Sequence, residues 1–210
     1  MNDWIEKLFS FPELTRMGHG QRREDLNLGL GWLYYALGRI LRPRVAVVIG
    51  SYRGFTPFVF GKALMDNAGG GRVVFIDPSM VDDFWKDAAV VRWYFASMGV
   101  TNVEHHLVTT QGFVETDAYR ELGDVGVLFV DGMHTAEQAR FDHEAFAGKM
   151  APGSVVCFHD SLKVEETDIY GEGRAYTYTV KHYVDELRRD PAYQVFDFPF
   201  FGDVTLVRKA

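Results

Sequence analysis

Residues 44–77 read RVAVVIGSYRGFTPFVFGKALMDNAGGGRVVFID and contain an apolar run, a glycine-bearing turn, a helix-like segment and a second apolar run. The first run, 45–49, is rich in valine and isoleucine and lacks polar alternation. Strands of parallel sheets that helices cover on both faces have this composition. The run therefore predicts the first buried strand of an α/β sheet.

The turn after this strand is suited to a close approach of a ligand. Gly50 and Gly54 let the backbone turn sharply. Thr56 is placed to cap a helix that we predict over 57–67, and the free N–H groups at its start face the space above the first strand. The second apolar run ends at Asp77, where a carboxylate can accept hydrogen bonds from both hydroxyls of a ribose. These features predict a site for a nucleoside-containing cofactor.

The residue two positions after Gly50 distinguishes between cofactors. A dinucleotide-binding turn needs a glycine there to admit a pyrophosphate, and this chain has Tyr52. S-adenosylmethionine (SAM) has a ribose and an adenine but no phosphate, so it fits better. A nicotinamide-dependent oxidoreductase would use the same Asp77, but Tyr52 opposes it and no Tyr-x-x-x-Lys pair follows at a suitable place. A catalytically silent nucleoside-binding protein, or a unit that serves only packing, remains an alternative.

The segment VVIGSYRG at 47–54, taken with Asp77, resembles the first two motifs of class I SAM-dependent methyltransferases. This resemblance implies an α/β fold, a three-layer Rossmann-like sandwich whose seven-stranded sheet is mostly parallel with an antiparallel last strand. The chain departs from the family pattern at Val48, where an acid is usual. The implied cofactor contacts are Gly50, Ser51, Tyr52, Gly54, Asp77, Pro78, Gln111 and Asp131.

A second informative region consists of two further strand ends. The apolar run 125–130 ends in Asp131, and the run 154–158 ends in His159 and Asp160. Neighbouring strands lie about 4.8 Å apart, so these side chains converge if the two strands are adjacent. The carboxylates suit Mg²⁺, whereas the histidine favours Mn²⁺ or another transition metal. A cation there would lower the pKa of a hydroxyl group that accepts the methyl.

The motifs at these two strand ends, DGMH at 131–134 and FHDS at 158–161, resemble those of small bacterial metal-dependent O-methyltransferases of catechols, sugars and macrolides. The resemblance implies metal ligands at Asp131, His159 and Asp160, of which His159 departs from the family's acids or asparagine. It implies Asp131, His134 and His159 as catalytic residues and a small-molecule hydroxyl as acceptor. In a metal-free version, His134 or His159 acts as general base. If these residues have only a structural role, both histidines form hydrogen bonds with the backbone of loops.

Composition limits the partners of the chain. Its 210 residues are 47% hydrophobic and 24% charged, as is ordinary for one globular domain. The net charge of −7 disfavours nucleic acid and anionic membranes as partners and favours a small molecule. The single cysteine, Cys157, and an N-terminus without a long apolar stretch predict a cytoplasmic protein.

We expect residues 1–43 to form an N-terminal helical segment packed on a SAM-binding methyltransferase domain, 44–210. A leucine stripe over 22–41 predicts an amphipathic helix that packs on the sheet or on the second subunit of a homodimer. Another helix is predicted over 81–98, with Asp82 and Asp83 in its first turn.

Several remaining predictions concern the edges of the site. Gln111, after a strand at 103–108, either contacts adenine or caps the next helix. Thr135 and Gln138 have the spacing of a capping box, so a helix should begin directly after His134. The loop 162–178 carries tyrosines and is predicted to form a lid over the acceptor. His19 is expected to be exposed to solvent, and the strands at 194–198 and 203–207 are expected to form an antiparallel closing hairpin.

Overall fold

The apolar runs of the sequence form the parallel centre of one sheet. The computed structural model describes residues 1–15, 18–200 and 202–210, and its strands there are β1 (Val45–Ile49), β2 (Arg72–Ile76), β3 (Val103–His106), β4 (Val125–Val130), β5 (Met150–His159), β6 (Glu165–Thr167), β7 (Tyr176–Tyr178), β8 (Tyr193–Phe198) and β9 (Val204–Lys209). Seven of these strands pair in the order β3-β2-β1-β4-β5-β9-β8. β1 to β5 run parallel, whereas β9 is antiparallel to both β5 and β8. The predicted sheet is confirmed.

Helices cover both faces of this sheet. They are α1 (Asn2–Phe9), α2 (Gly31–Leu41), α3 (Phe55–Met65), α4 (Ala88–Ser97), α5 (Thr110–Phe113), α6 (Asp117–Arg120), α7 (Ala136–Ala147) and α8 (Val180–Arg189), with a 3₁₀ turn at Pro12–Thr15. Successive side chains of β1 alternate between two apolar clusters, because a strand points them to opposite faces. Ala46 and Val48 pack with α3, whereas Val47 and Ile49 pack with α7 and α8. The predicted three-layer Rossmann-like sandwich is therefore confirmed.

The N-terminal segment is only partly helical. The helix predicted over 22–41 begins at Gly31, because Leu26 has a left-handed backbone with φ 54° and Arg22 forms a β-bridge with Asn27. The leucine spacing predicted too early a helix start, because leucines of this turn are buried although the turn is not helical. In α1, Ile5, Leu8 and Phe9 belong to the same apolar cluster as Val48 of β1. Residues 16 and 17 lie outside the described residues, and the division of the chain at residue 43 stays a prediction.

Two helices begin at other residues than predicted. Helix α3 starts at Phe55 with Gly54 as its N-cap, and Thr56 makes no capping hydrogen bond. Helix α4 starts only at Ala88, where the carboxylate of Asp87 accepts hydrogen bonds from the N–H groups of residues 89 and 90. Asp82 therefore lies outside the helix and forms an ion pair with Arg53 at 2.6 Å. The predicted place of Asp82 and Asp83 in a first helical turn is wrong.

The remaining elements follow their predictions closely. Helix α7 begins at Ala136, directly after Thr135, whose hydroxyl accepts a hydrogen bond from the N–H of Gln138. The strands β8 and β9 form the expected antiparallel hairpin. Strand β3 ends at His106, short of the predicted residue 108. None of the helices in the described ranges is long and apolar enough to cross a membrane.

The backbone at Gly50, just after β1, lies close to the backbone of Asp131, just after β4. Replacement of Gly50 by alanine should therefore destabilise the protein. The Gly50 backbone has φ 72°, and a Cβ atom added there would lie 2.2 Å from the carbonyl oxygen of Asp131. The left-handed conformation alone costs a side chain about 1–2 kcal/mol, and the clash with backbone adds to it. We expect Gly50→Ala to lower the free energy of unfolding by at least about 3 kcal/mol in urea titrations.

Gly148 provides the control for this prediction. It ends helix α7 with an ordinary backbone, φ −78°, and no atom of the described residues lies within 4 Å of an added Cβ. Gly148→Ala should therefore be neutral or slightly stabilising. Equal destabilisation by both substitutions would refute the assignment of Gly50 as a point of close backbone approach.

Candidate active site

A cavity of about 360 Å³ opens at the carboxyl ends of the central parallel strands. Gly50 and Ser51 follow β1, Asp77 follows β2, Asp131 follows β4 and His159 ends β5, and all five line the cavity. Parallel strands present their carboxyl ends at the same sheet edge, which is where ligands bind in open α/β folds. The two regions that the sequence singled out therefore face one common space.

Asp77 links the first two strands at the cofactor half of the cavity. Its Oδ2 accepts a hydrogen bond from the N–H of Ser51 at 3.2 Å, and its Oδ1 accepts one from the N–H of Ser79 at 2.7 Å. Burial raises the pKa of Asp77 above its ordinary value, although these two donors oppose the shift. The carboxylate thus fixes the glycine-bearing turn and also borders the cavity.

The predicted cofactor contacts fall into two groups. Those that line the cavity are Gly50, Ser51, Tyr52, Asp77, Pro78, Gln111 and Asp131. Gly54 does not line it, because an atom added at its Cα would face Trp85 and Phe95 instead. Its contribution to the site is to begin helix α3.

Gln111 lies at the rim of the cavity and does not cap a helix. The cap of α5 is Thr109, whose hydroxyl accepts a hydrogen bond from the N–H of Gly112. The Gln111 side chain donates instead to Oε1 of Gln138 at 2.8 Å. The capping alternative for Gln111 is wrong, and its contact with adenine stays a prediction.

Asp142 is a cavity residue that the sequence reasoning missed. Its Oδ1 accepts a hydrogen bond from Nε2 of Gln138 at 2.7 Å, whereas its Oδ2 has no partner among the described residues. The side chain is fully buried, and burial raises its pKa to about 6. The helical spacing could have indicated that Asp142 is buried, because it falls on the buried face of α7 between Ala139 and Phe146.

Replacing Asp142 with asparagine should stabilise the protein at alkaline pH. The folded-state pKa, about 6, exceeds the ordinary 3.8, so the folded chain holds this proton more tightly than the unfolded chain does. The resulting stability is present at low pH and is lost as the pH rises through about 6. Between pH 5 and pH 8, the stability of Asp142→Asn relative to wild type should rise by about 1.4 kcal/mol in urea titrations.

Glu137→Gln is the control for Asp142→Asn, because Glu137 is an exposed acid of the same helix. Its effect should be the same at pH 5 and pH 8. Equal effects of Asp142→Asn at the two pH values would contradict the burial of this carboxylate as the cause of its raised pKa.

Asp131 lies at the centre of a cluster with two imidazoles. Its Oδ1 is 3.1 Å from Nε2 of His134 and 2.9 Å from Nδ1 of His159. His134 follows Asp131 in the turn before α7, and His159 reaches the same point from the end of the adjacent strand β5. The prediction that these strand ends converge is confirmed.

The charges of this cluster reinforce one another. Burial lowers the pKa of His159, but the negative charges of Asp131 and Asp160 outweigh burial and raise the pKa to about 9. Burial raises the pKa of Asp131, but the positive charge of His159 and the hydrogen bond from His134 hold it well below its ordinary value. Without a metal the pair is therefore ionised at neutral pH, and a metal bound by His159 would displace the proton of that imidazole.

The donor atoms of Asp131, His134 and His159 fit a divalent metal. One ligand atom from each lies within 4.8 Å of the others. His159 Nδ1 is close to Asp131, yet it forms no aligned hydrogen bond, and Nε2 of His159 and Nδ1 of His134 also lack partners among the described residues. Asp131 Oδ1 lies 3.1 and 2.9 Å from the two imidazole nitrogens, so the three groups could share one ion.

Asp160, a predicted metal ligand, lies at the edge of this cluster. Its Oδ2 is 3.5 Å from Nδ1 of His134 and 3.4 Å from Nδ1 of His159. Burial raises the pKa of Asp160, and the two histidines oppose that shift. Asp160 therefore places a negative charge beside both imidazoles without an aligned hydrogen bond, and its direct coordination of a metal stays a prediction.

His19 was expected to be exposed, but the structure places it beside the cluster. Only 3% of its surface is exposed, and its ring centroid is 4.5 Å from that of His159. Burial and the positive charge of His159 lower the pKa of His19 to about 3. A lone histidine between two glycines gave no sequence signal for burial, because its partners come from distant parts of the chain.

The predicted lid contains a small hairpin. β6 and β7 pair within the segment that was predicted as a loop over 162–178. Tyr178 of β7 packs edge-on against His134, with 4.3 Å between ring centroids, and Tyr170 stacks on Tyr176 at 5.6 Å. All three tyrosines line the cavity. The segment thus places aromatic rings over the His134 side of the site.

Comparison with known proteins is consistent with this geometry. The chain matches a family model described as "Methyltransferase domain" over residues 47–161. That range contains the last three residues of β1, all of β2, the glycine-bearing turn, Asp131 and His159, and it spans more than half of the 210 residues. The chain belongs to this family of methyltransferases. No curated protein sequence matches it significantly.

Solved structures of low sequence identity share the fold over nearly the whole chain. An O-methyltransferase from Bacillus cereus in complex with SAH has a TM-score of 0.68 at 15% identity, with 99% of this chain and 91% of that chain covered. TomG from Streptomyces achromogenes, an O-methyltransferase of tomaymycin synthesis in complex with SAM, has a TM-score of 0.65 at 16% identity, with 99% and 89% covered. An SAH-bound methyltransferase from Podospora anserina has a TM-score of 0.65 at 17% identity, with 98% and 88% covered.

Proposed function

We propose that this methyltransferase transfers the methyl group of SAM to a hydroxyl oxygen of a small-molecule acceptor. One observation carries the proposal: a single cavity joins the Asp77 turn to the cluster of Asp131, His134 and His159. The proteins of similar fold from Bacillus cereus and Streptomyces achromogenes are O-methyltransferases in complex with SAH and SAM. Their cofactors support the same assignment for the Asp77 half of the cavity.

In the proposed cofactor site, the carboxylate of Asp77 accepts hydrogen bonds from the two ribose hydroxyls. Gly50 and Ser51 bring backbone close to the methionine part, since both residues line the cavity at the end of β1. Pro78 and Gln111 border the adenine, and Tyr52 closes the turn. The sulfonium then faces the Asp131 side of the cavity, where the acceptor hydroxyl would lie.

The proposed reaction is a single in-line displacement. A lone pair of the acceptor oxygen forms a bond to the methyl carbon while the carbon–sulfur bond breaks, and its electron pair stays on sulfur. The products are a methyl ether and neutral SAH, and the hydroxyl proton must leave. Asp131 and the two imidazoles hold the acceptor hydroxyl against the methyl, since orientation of the two reactants supplies much of such a rate enhancement.

Asp131, His134 and His159 would hold a divalent metal in this site. Two imidazoles and one carboxylate favour Mn²⁺ or another transition metal over Mg²⁺, which prefers oxygen ligands. Such a metal would lower the pKa of the acceptor hydroxyl. Asp160, beside both imidazoles, then acts as the nearby proton acceptor. Without a metal the base is His134, because the pKa of His159, about 9, leaves that imidazole protonated at neutral pH.

The test begins with calorimetric titration of the purified protein with SAM, SAH and NADH. Micromolar binding of SAM and SAH without a response to NADH is the expected result, and tight NADH binding would refute the assignment. Methyl transfer to a panel of catechols, sugars and macrolides is then measured as SAH release. Loss of activity in EDTA with recovery in Mn²⁺ is expected, whereas SAM binding without turnover on any acceptor would indicate a binding protein.

Two further proposals concern the setting of the protein. We propose a cytoplasmic location, supported by the single cysteine, Cys157, whose thiol is buried and free. A homodimer through α2 stays a prediction, supported by Trp32 and Ile40, whose side chains are exposed on that helix. Sedimentation at several concentrations tests the dimer.

A further inference from the structure

His19 joins the active site from outside the part of the chain that matches the methyltransferase family. The match covers residues 47–161, and His19 lies on the irregular segment that precedes α2. Its ring lines the cavity and lies between two other rings, those of Phe55 and His159. The centroid distances are 5.1 Å to Phe55 and 4.5 Å to His159. The N-terminal segment thus forms one wall of the proposed acceptor site.

The position of His19 is fixed by several contacts. Its Nδ1 makes a hydrogen bond with the hydroxyl of Tyr34 at 3.0 Å, and Tyr34 is fully buried. Its carbonyl oxygen accepts a hydrogen bond from the N–H of Leu30 at 2.8 Å. A Cβ added at Gly29 would lie 2.1 Å from that same carbonyl, so the backbone of the two segments is in direct contact. These contacts leave the imidazole little freedom to turn.

His159 lacks comparable hydrogen bonds of its own. Both of its ring nitrogens are buried without an aligned partner among the described residues. Two χ angles of a histidine normally need packing or hydrogen bonds to hold one ring orientation, and metal-binding imidazoles are commonly oriented by such outer contacts. The ring of His19 supplies the nearest aromatic contact, since Phe129 lies farther away at 6.4 Å.

We infer that His19 is a positioning residue of the active site: anchored by Tyr34 and Phe55, its ring fixes the ring plane of His159 and keeps a His159 nitrogen directed at the Asp131 cluster. The inference rests on the proposed role of that cluster. It assigns the segment before α2 to the active site and not merely to the outer surface of the fold.

The test compares wild type with His19→Ala in two measurements. Co²⁺ titration followed by visible absorption reports the affinity and geometry of the cluster, and a crystal structure without metal reports the His159 ring. We expect at least about a tenfold loss of Co²⁺ affinity, the loss typical of removing an outer-shell contact, and a rotated or doubly occupied His159 ring. SAH affinity, measured by calorimetry, should change less than twofold.

His143→Ala is the matched control. His143 is also buried, at 4% exposure, and its Nδ1 also makes a hydrogen bond with a tyrosine hydroxyl, that of Tyr183 at 2.7 Å. It lines a different cavity, so its loss should lower stability without changing Co²⁺ binding or the His159 ring. Tyr34→Phe removes only the anchoring hydroxyl and should give a smaller loss of the same kind. It serves as the test if His19→Ala does not fold.

The outcomes separate this inference from the proposed function. An unchanged His159 ring together with unchanged Co²⁺ affinity in His19→Ala would overturn it, and equal effects of His143→Ala would show a general packing defect and overturn it too. If wild type binds no Co²⁺, the metal part of the proposed function fails. The His159 ring in the crystal structures of wild type and variant then decides the role of His19 alone.

Discussion

Asp131→Asn is expected to reduce methyl transfer by at least about a hundredfold, because this carboxylate is shared by both imidazoles of the site. The substitution keeps the shape of the side chain but removes the negative charge between His134 and His159. With a metal, it removes one of three proposed ligands, and loss of even an outer contact costs 10 to 100-fold in affinity or activity. Without a metal, it releases the imidazole that acts as base from its orienting partner, which is also costly.

The measurement is SAH release with an acceptor from the panel, together with Mn²⁺ affinity by calorimetry. Asp160→Asn is the matched control, since it removes the same charge from a carboxylate that lies 3.4–3.5 Å from the two imidazoles at the edge of the cluster. We expect Asp160→Asn to lower Mn²⁺ affinity by at most about tenfold, the lower end for an outer contact, whereas Asp131→Asn removes a proposed ligand. A smaller loss of Mn²⁺ affinity in Asp131→Asn than in Asp160→Asn would show that the other carboxylate holds the metal.

Much of the fold could be predicted from the sequence because the central strands are buried on both faces. In β1 and β4, apolar residues follow one another without polar alternation. A strand that is buried on both faces of a sheet is one of the few structures that removes all of these side chains from water. The convergence of Asp131 and His159 followed from the same argument, since parallel strands end at one edge. The sequence thus predicted the residues that the sheet itself positions.

Helix starts were predicted less well, because hydrophobic spacing does not report backbone conformation. Leucines continue through the turn at Leu26, where φ is positive, so the spacing alone extended α2 too far. Before α4, the apolar spacing likewise continues through a non-helical turn, and the helix begins only after its N-cap, Asp87. Buried apolar side chains are needed in such turns as well as in helices.

His19 and Asp142 were missed for a different reason. Both are polar and buried, and His19 is buried by contacts with distant residues that no local pattern reveals. His19 meets His159 across 140 positions of sequence (159 − 19). Asp142 could have been noticed, since it lies on the buried face of α7, whereas His19 required the three-dimensional structure.

The second large effect is expected from Asp77→Asn, which should weaken SAH binding by about a hundredfold. In the proposed site, the ionised carboxylate accepts a hydrogen bond from each ribose hydroxyl, and hydrogen bonds to charged groups contribute about 1.5–3 kcal/mol each. Asparagine lacks that charge, and its side-chain N–H must face either a ribose hydroxyl or the N–H of Ser51. Both of these groups donate hydrogen bonds to the wild-type carboxylate, the N–H of Ser51 to Oδ2. A loss of about 2.7 kcal/mol corresponds to the hundredfold change in affinity.

Acidification gives an independent check, because burial raises the pKa of Asp77. The ionised form binds the ribose hydroxyls best, so wild-type affinity should fall as the pH is lowered through that raised pKa, and its advantage over Asp77→Asn should shrink. Asp82→Asn is the control on the same loop, since Asp82 pairs with Arg53 and should change SAH affinity only severalfold. Equal SAH affinities of wild type and Asp77→Asn at neutral pH would remove the carboxylate from the cofactor site. The position of the nucleoside in the cavity would then have to be reassigned.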